Sequence, residues 1–233
     1  MQNMEVSIPA WFYGLDSIMY FVASIIGFLL TFYFYRIYAL SSQKNHQYVY
    51  LAFLILSLGF SVLTVSSLYG YIKFITCEGV CSLQSLDLAF SFEDFSYLTY
   101  FGFSLTAYVM LIFAYLDENI KFSKLFILLF LVYLVFIAGF LTIKRSFHVW
   151  YAYSEYFHLT SLVMMIFVLF RTFVNYNSEK SASSFLVMFS FLLLAVFHLF
   201  YLFSFINEFY VFAHVSLLSA FFVLLVMTFR VKR

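Results

Sequence analysis

Apolar runs of about twenty residues recur from one end of this sequence to the other, and that is the length an α-helix needs to cross the hydrocarbon core of a bilayer. Lipid offers a backbone no hydrogen-bond partner, so runs of this kind can satisfy their own N–H and C=O groups only as helices. Hydropathy predicts seven spans, at 11–35, 48–72, 95–116, 125–143, 150–170, 184–205 and 209–229. With 65% of residues hydrophobic and 10% charged, the composition leaves no room for a soluble domain of ordinary make-up. The expected fold is therefore all-α: one seven-helix transmembrane bundle over residues 1–233, multi-pass in the cell membrane.

The charges divide unequally between the two sides of such a bundle. Lys73, Lys144 and Arg145 fall on the side of the N-terminus, and Arg36, Lys44, Lys121, Lys124, Arg171, Lys180, Arg230, Lys232 and Arg233 fall opposite. The positive-inside rule then predicts an N-terminus outside and a C-terminus in the cytoplasm, with Lys144 and Arg145 as dissenters. The leading segment MQNMEVSIPA lacks the basic flank of a secretory signal, so the first span is expected to stay as a helix. No connector is long enough for a soluble domain. Any signal is expected to pass to a partner protein, in the membrane or the cytoplasm, and no nucleic-acid contact is expected.

Two stretches resemble each other: FYFYRIYALSSQKNHQYVYLAFLILSLGF and FVLFRTFVNYNSEKSASSFLVMFSFLLLA share an aromatic-arginine helix exit, a polar connector and an apolar re-entry. EDFSYL and NEFYVF likewise open the third and seventh spans alike. Together they give a three-plus-one-plus-three pseudo-repeat, with the fourth span as linker; chance likeness between phenylalanine-rich helices is the competing explanation. The only proline, Pro9, lies outside every span, so straight helices are expected, which counts against a carrier built from kinked ones.

Ionisable groups inside a bilayer are costly, and by default they mark function. His158, His198 and His214 fall on three different spans, each very roughly 10 Å below the outer mouth at 1.5 Å per residue. Glu155 stands one turn outward of His158, Glu208 opens the last span, and Asp16 opens a stripe on the first span with Tyr13, Tyr20, Ser24 and Gly27. The third span adds Tyr97, Tyr100, Ser104 and Tyr108. The predicted site is a tyrosine-lined polar pocket in the outer half. His158, His198 and His214 supply the ligand or metal contacts there, and Glu155, Asp16, Tyr100 and Glu208 act as charge or second partners.

Three imidazoles could hold a transition metal with an open position, two could hold a haem, and with the carboxylates they could relay protons; structural hydrogen bonding is the plain alternative. Cys77 and Cys81, in CEGVC, are placed for a disulfide, ahead of two free thiols and of metal capture. The last span carries no lysine, so it offers no Schiff-base attachment of the microbial-rhodopsin kind, and no HExxH, GxSxG or phosphate-cradling glycine loop occurs. The expected function is a non-enzymatic receptor- or sensor-like module, with a transporter or proton-coupled permease second, and a membrane metalloenzyme or a structural subunit of a membrane complex behind these.

Overall fold

The computed structural model describes residues 10–12, 14–76, 92–116, 149–204 and 206–230. A short 3-10 turn, Ala10–Phe12, leads into six α-helices: α1 Leu15–Ser41, α2 Lys44–Thr76, α3 Phe92–Tyr115, α4 Val149–Glu179, α5 Ala182–Leu202 and α6 Asn207–Arg230. All six contain stretches long and apolar enough to cross a membrane, with mean hydropathy between 1.5 and 2.4. The chain is thus a multi-pass membrane protein in contact with lipid. The expected span at 125–143 lies outside the described residues, as do Cys77 and Cys81.

The connectors explain where helices stop. α1 closes on Ser42 in the left-handed region (φ 54°), whose N–H donates to the Tyr38 carbonyl at 2.7 Å. α4 closes in the same way on Lys180 (φ 49°), whose N–H donates to the Tyr176 carbonyl at 2.7 Å. The two aromatic-arginine exits that resemble each other in sequence therefore end in the same local device, which satisfies a terminal carbonyl and reverses the chain. Ser181 then caps α5, its hydroxyl accepting from the Ser184 N–H at 3.0 Å.

The helices form a ring in chain order: α1 on α2, α2 on α3, α3 on α4, α4 on α5, α5 on α6, and α6 back on α1. Packing is more extensive within α1–α3 and within α4–α6 than at the two seams, α3–α4 and α1–α6. Directions follow from paired contacts. Ser17 meets Ser67 while Phe34 meets Phe53, so α1 and α2 are antiparallel. Tyr69 meets Phe92 and Tyr48 meets Phe113, so α2 and α3 are too. Tyr108 meets His198 and Tyr115 meets Phe191, which makes α5 antiparallel to α3. His158 meets Tyr201 while Tyr176 meets Phe185, so α4 opposes α5 and runs the same way as α3. Tyr20 meets His214, and a β-carbon on Gly27 would meet Phe221, so α6 runs with α1.

Small residues draw α1 and α2 together. Ser17 Oγ donates to Ser67 Oγ at 2.8 Å, and Ser24 Oγ donates to the Ser57 carbonyl at 3.1 Å. At Gly27 the approach is closest: a β-carbon there would stand 2.2 Å from Ser57 Oγ, so the crossing needs glycine. The outward face of α1 carries Ile18, Phe21, Ile25, Phe28 and Phe32 at helical spacing, all exposed from the bundle, as a lipid-facing stripe should be.

Candidate functional site

The polar side chains buried between the helices form two hydrogen-bonded groups and a cavity between them. The first group lies where α3, α4 and α5 meet. His158 Nδ1 and His198 Nδ1 are 2.9 Å apart, and His198 Nε2 is 2.9 Å from Tyr108 Oη. Both imidazoles are buried, and the Tyr201 ring stacks on His158 with centroids 3.9 Å apart and planes 16° apart. Phe157 and Phe197 close the remaining sides of His158 with edge-on contacts.

This geometry fixes the proton inventory. A hydrogen bond between two Nδ1 atoms needs a proton on one and a lone pair on the other. If His198 donates, its Nε2 accepts from the Tyr108 hydroxyl and the His158 Nε2 carries a proton. If His158 donates, the His198 Nε2–H donates to Tyr108 instead, and His158 can hold a further proton on Nε2. The pair therefore accommodates one net positive charge without breaking its bond. A second would set N–H against N–H.

The second group joins α1, α2 and α6. Asp16 Oδ2 accepts from Ser67 Oγ at 2.7 Å and, at the long distance of 3.5 Å, from Tyr210 Oη; Asp16 Oδ1 accepts from the Ser17 N–H at 2.9 Å. His214 Nδ1 lies 2.8 Å from the Tyr210 carbonyl, which can only accept, so Nδ1 carries the proton. His214 Nε2 pairs with Tyr20 Oη at 2.8 Å. Both nitrogens of His214 are thus engaged.

Between the groups lies a cavity lined by Tyr20, Tyr97, Tyr100, Ser154, His158 and Tyr201, among others, with room for about one water. Tyr20 brings the second group to its wall and His158 brings the first. Small-molecule sites run to roughly 300–1,000 Å³, so no organic ligand or haem fits this space.

The expected site residues divide accordingly. His158 and His198 meet. His214 also neighbours Tyr201, whose ring centroid is 6.2 Å from its own, but both of its nitrogens are taken by Tyr210 and Tyr20. Among the described residues no three of His, Cys, Asp and Glu come together as metal ligands. Asp16 is buried, and Tyr210 bonds to it through the hydroxyl and to His214 through the carbonyl.

Tyr100 lines the cavity. Glu155, expected beside His158, is exposed on the bundle surface: at 100° per residue the helix turns Ser154 toward the cavity and Glu155 away from it. Glu208 is also exposed, in the first turn of α6, where a carboxylate suits the helix dipole. Reading the sequence missed Ser67, Tyr201 and Tyr210. The tyrosines had a local signal, standing three residues after His198 and four before His214 on the same helical faces. Ser67 had none, since its partner Asp16 is 51 residues away. Set against family models, curated proteins and solved structures, the chain matches none of them.

Proposed function

We propose that the protein is a proton-binding membrane switch of the sensor-like kind, in which the ligand is a proton taken up on the His158–His198 pair and the readout is the fit between two three-helix halves. One observation carries this reading. The hydrogen bonds that join α1–α3 to α4–α6 include three built on a histidine or Asp16: Tyr108 with His198, Tyr20 with His214, and Tyr210 with Asp16. The first half contributes Tyr20, Tyr108 and the carboxylate; the second contributes His198, His214 and Tyr210. A proton gained or lost on this spine changes donor and acceptor roles between the halves, so charge and packing are coupled.

A transporter is the second reading. It is favoured by the parallel course of the halves around a central polar site, an arrangement that rocking carriers use. We assign a seventh span to the apolar run at 125–143, a reading supported by the shared direction of α3 and α4. The nine-to-three division of basic residues supports an outside start for α1; we take the membrane to be the cell membrane and a partner protein to read the cytoplasmic ends.

The test uses spin labels at Leu40→Cys and Asn177→Cys, both exposed near the same end of the two halves, in a Cys77→Ser, Cys81→Ser background. Distances measured in nanodiscs are expected to change between alkaline and acidic buffer, and the change is expected to vanish in His198→Gln. Distances that ignore pH in the otherwise unaltered protein would refute the switch. Sustained proton-driven solute uptake into proteoliposomes would favour the transporter.

A further inference from the structure

Among the described residues, three buried oxygens lack a hydrogen bond of good geometry: Tyr100 Oη, Ser104 Oγ and Ser161 Oγ, the first two standing near each other one turn apart. Tyr100 is 3% exposed and both serines 0%, so none of them reaches water or lipid headgroups. The serines are unusual in this chain. Across the bundle Ser57, Thr64, Ser96, Thr106, Thr160 and Ser190 each donate to the carbonyl one turn back, the ordinary way a hydroxyl is satisfied in a membrane helix. Ser104 and Ser161 forgo that bond.

Their positions explain why. Tyr100 and Phe101 on α3 touch Phe157 on α4, the second pair stacked at 4.1 Å. Ser104 lies one turn beyond Tyr100 and Ser161 one turn beyond Phe157. The two helices run in the same direction, so both turns descend to the same level of the seam. Gly59 of α2 backs this level: a β-carbon there would stand 3.3 Å from the Tyr100 ring and 3.9 Å from Ser104 Oγ. Tyr100 also lines the cavity beside His158.

We infer that Tyr100, Ser104 and Ser161 form a binding site for one small uncharged hydrogen-bonding molecule, occupied by water in the resting protein, at the α3–α4 seam. Hydroxyls both donate and accept, and an uncharged trio with no carboxylate among them suits water rather than an ion. Such a water satisfies the three oxygens that the helices leave over. Because Tyr100 borders both spaces, it also extends the cavity one helical turn deeper between the halves. This site stands on the unpaired hydroxyls and does not depend on the switch.

X-ray radiolytic labelling of the full chain in nanodiscs, in water enriched with oxygen-18, tests it by mass spectrometry. Tyr100 and Phe157 are expected to take up the isotope several-fold faster than Phe221, which is equally buried but has no unpaired hydroxyl beside it. The double substitution Ser104→Ala and Ser161→Ala is expected to lower that rate toward the Phe221 value. Labelling of Tyr100 no faster than Phe221 in the unsubstituted protein would overturn the site, and so would a rate the double substitution leaves unchanged.

Discussion

Replacing Tyr108 with phenylalanine isolates the deepest bond between the two halves. The ring stays, edge-on to His198 at 5.4 Å, and only the hydroxyl 2.9 Å from His198 Nε2 is lost. The remaining imidazole nitrogen is then left without its partner in a ring packed by Phe157 and Phe197. In water-soluble proteins an orphaned buried group costs about 1–3 kcal/mol. Between membrane helices the measured coupling averages about 0.6 and reaches about 1.7 kcal/mol, because the unfolded chain in lipid also finds partners. For a fully buried bond of good length, we expect Tyr108→Phe to cost roughly 1 kcal/mol, about a fivefold change in the unfolding equilibrium. His198→Leu should cost more, since it also breaks the bond to His158. In the double variant the tyrosine effect should nearly vanish, giving a coupling of roughly 1 kcal/mol. The measurement is a double-mutant cycle by reversible unfolding in mixed micelles. A coupling below about 0.3 kcal/mol, the scatter between independent sites, would refute the claim that this bond holds the halves together.

Other outcomes follow from the same coordinates. Gly27→Ala should destabilise by about 1–3 kcal/mol, because its β-carbon would stand 2.2 Å from Ser57 Oγ; pairing it with Ser57→Ala should recover part of that loss in the same unfolding assay. Asp16→Ala removes the acceptor for Ser67 and Tyr210 and should cost about 1–3 kcal/mol, whereas Asp16→Asn, which keeps an acceptor oxygen, should cost less. Glu155→Gln should stay within about 0.5 kcal/mol of the parent in stability and leave the pH response of the spin-label distances intact, since that carboxylate faces outward. His214→Phe should weaken the α1–α6 seam without abolishing the response if the proton sits on the other two imidazoles; complete loss would move the proton site to His214.

How far the site could be read from sequence depended on how many helix rotations each contact required. Apolar run length placed five of the helices to within a few residues at most ends; the fifth span's 150–170 fell short of α4, which runs on to Glu179 because its last turns are polar and project beyond the apolar window. Depth below the mouth likewise put three histidines at about one level. Whether they touch is set by rotation about each axis, which hydropathy does not report. The rotation of α5 turns His198 toward His158 and lays Tyr201, three residues on, over the same ring, while the rotation of α6 commits His214 to Tyr20 and the Tyr210 carbonyl. Ser154 and Glu155 show the same limit within one helix: adjacent residues take opposite environments, and the stripe of polar residues counted along α4 did not decide between them. Asp16 was legible as a costly intramembrane group. Its partner Ser67 became visible only once α1 and α2 were paired antiparallel through Ser24, Gly27 and Ser57.

The direction of the polar spine also separates binding a proton from conducting one. From the end where α1 starts, the groups run inward as Asp16 and Tyr210, then Tyr20 and His214, then His158 and His198, and they stop at Tyr108. Beyond that level the interior is filled by Leu30, Leu56, Leu111, Met164, Val168, Leu194, Leu217 and Phe221, all buried. The hydroxyls in this layer are spent on their own helices, Ser57 on the Phe53 carbonyl, Ser190 on Leu186 and Thr172 on Leu169. A row of polar groups, broken by the cavity between Tyr20 and His158, that ends against packed leucine and phenylalanine offers a proton no route to the other side. Passage across would require the halves to part at the α3–α4 and α1–α6 seams, where packing is weakest; Tyr20 with His214 bridges the second, and Tyr108 with His198 ties α3 to α5. On the proposed reading, a proton taken up on the His158–His198 pair alters what His198 offers Tyr108 across the halves, which is how it would act on the shape of this bundle.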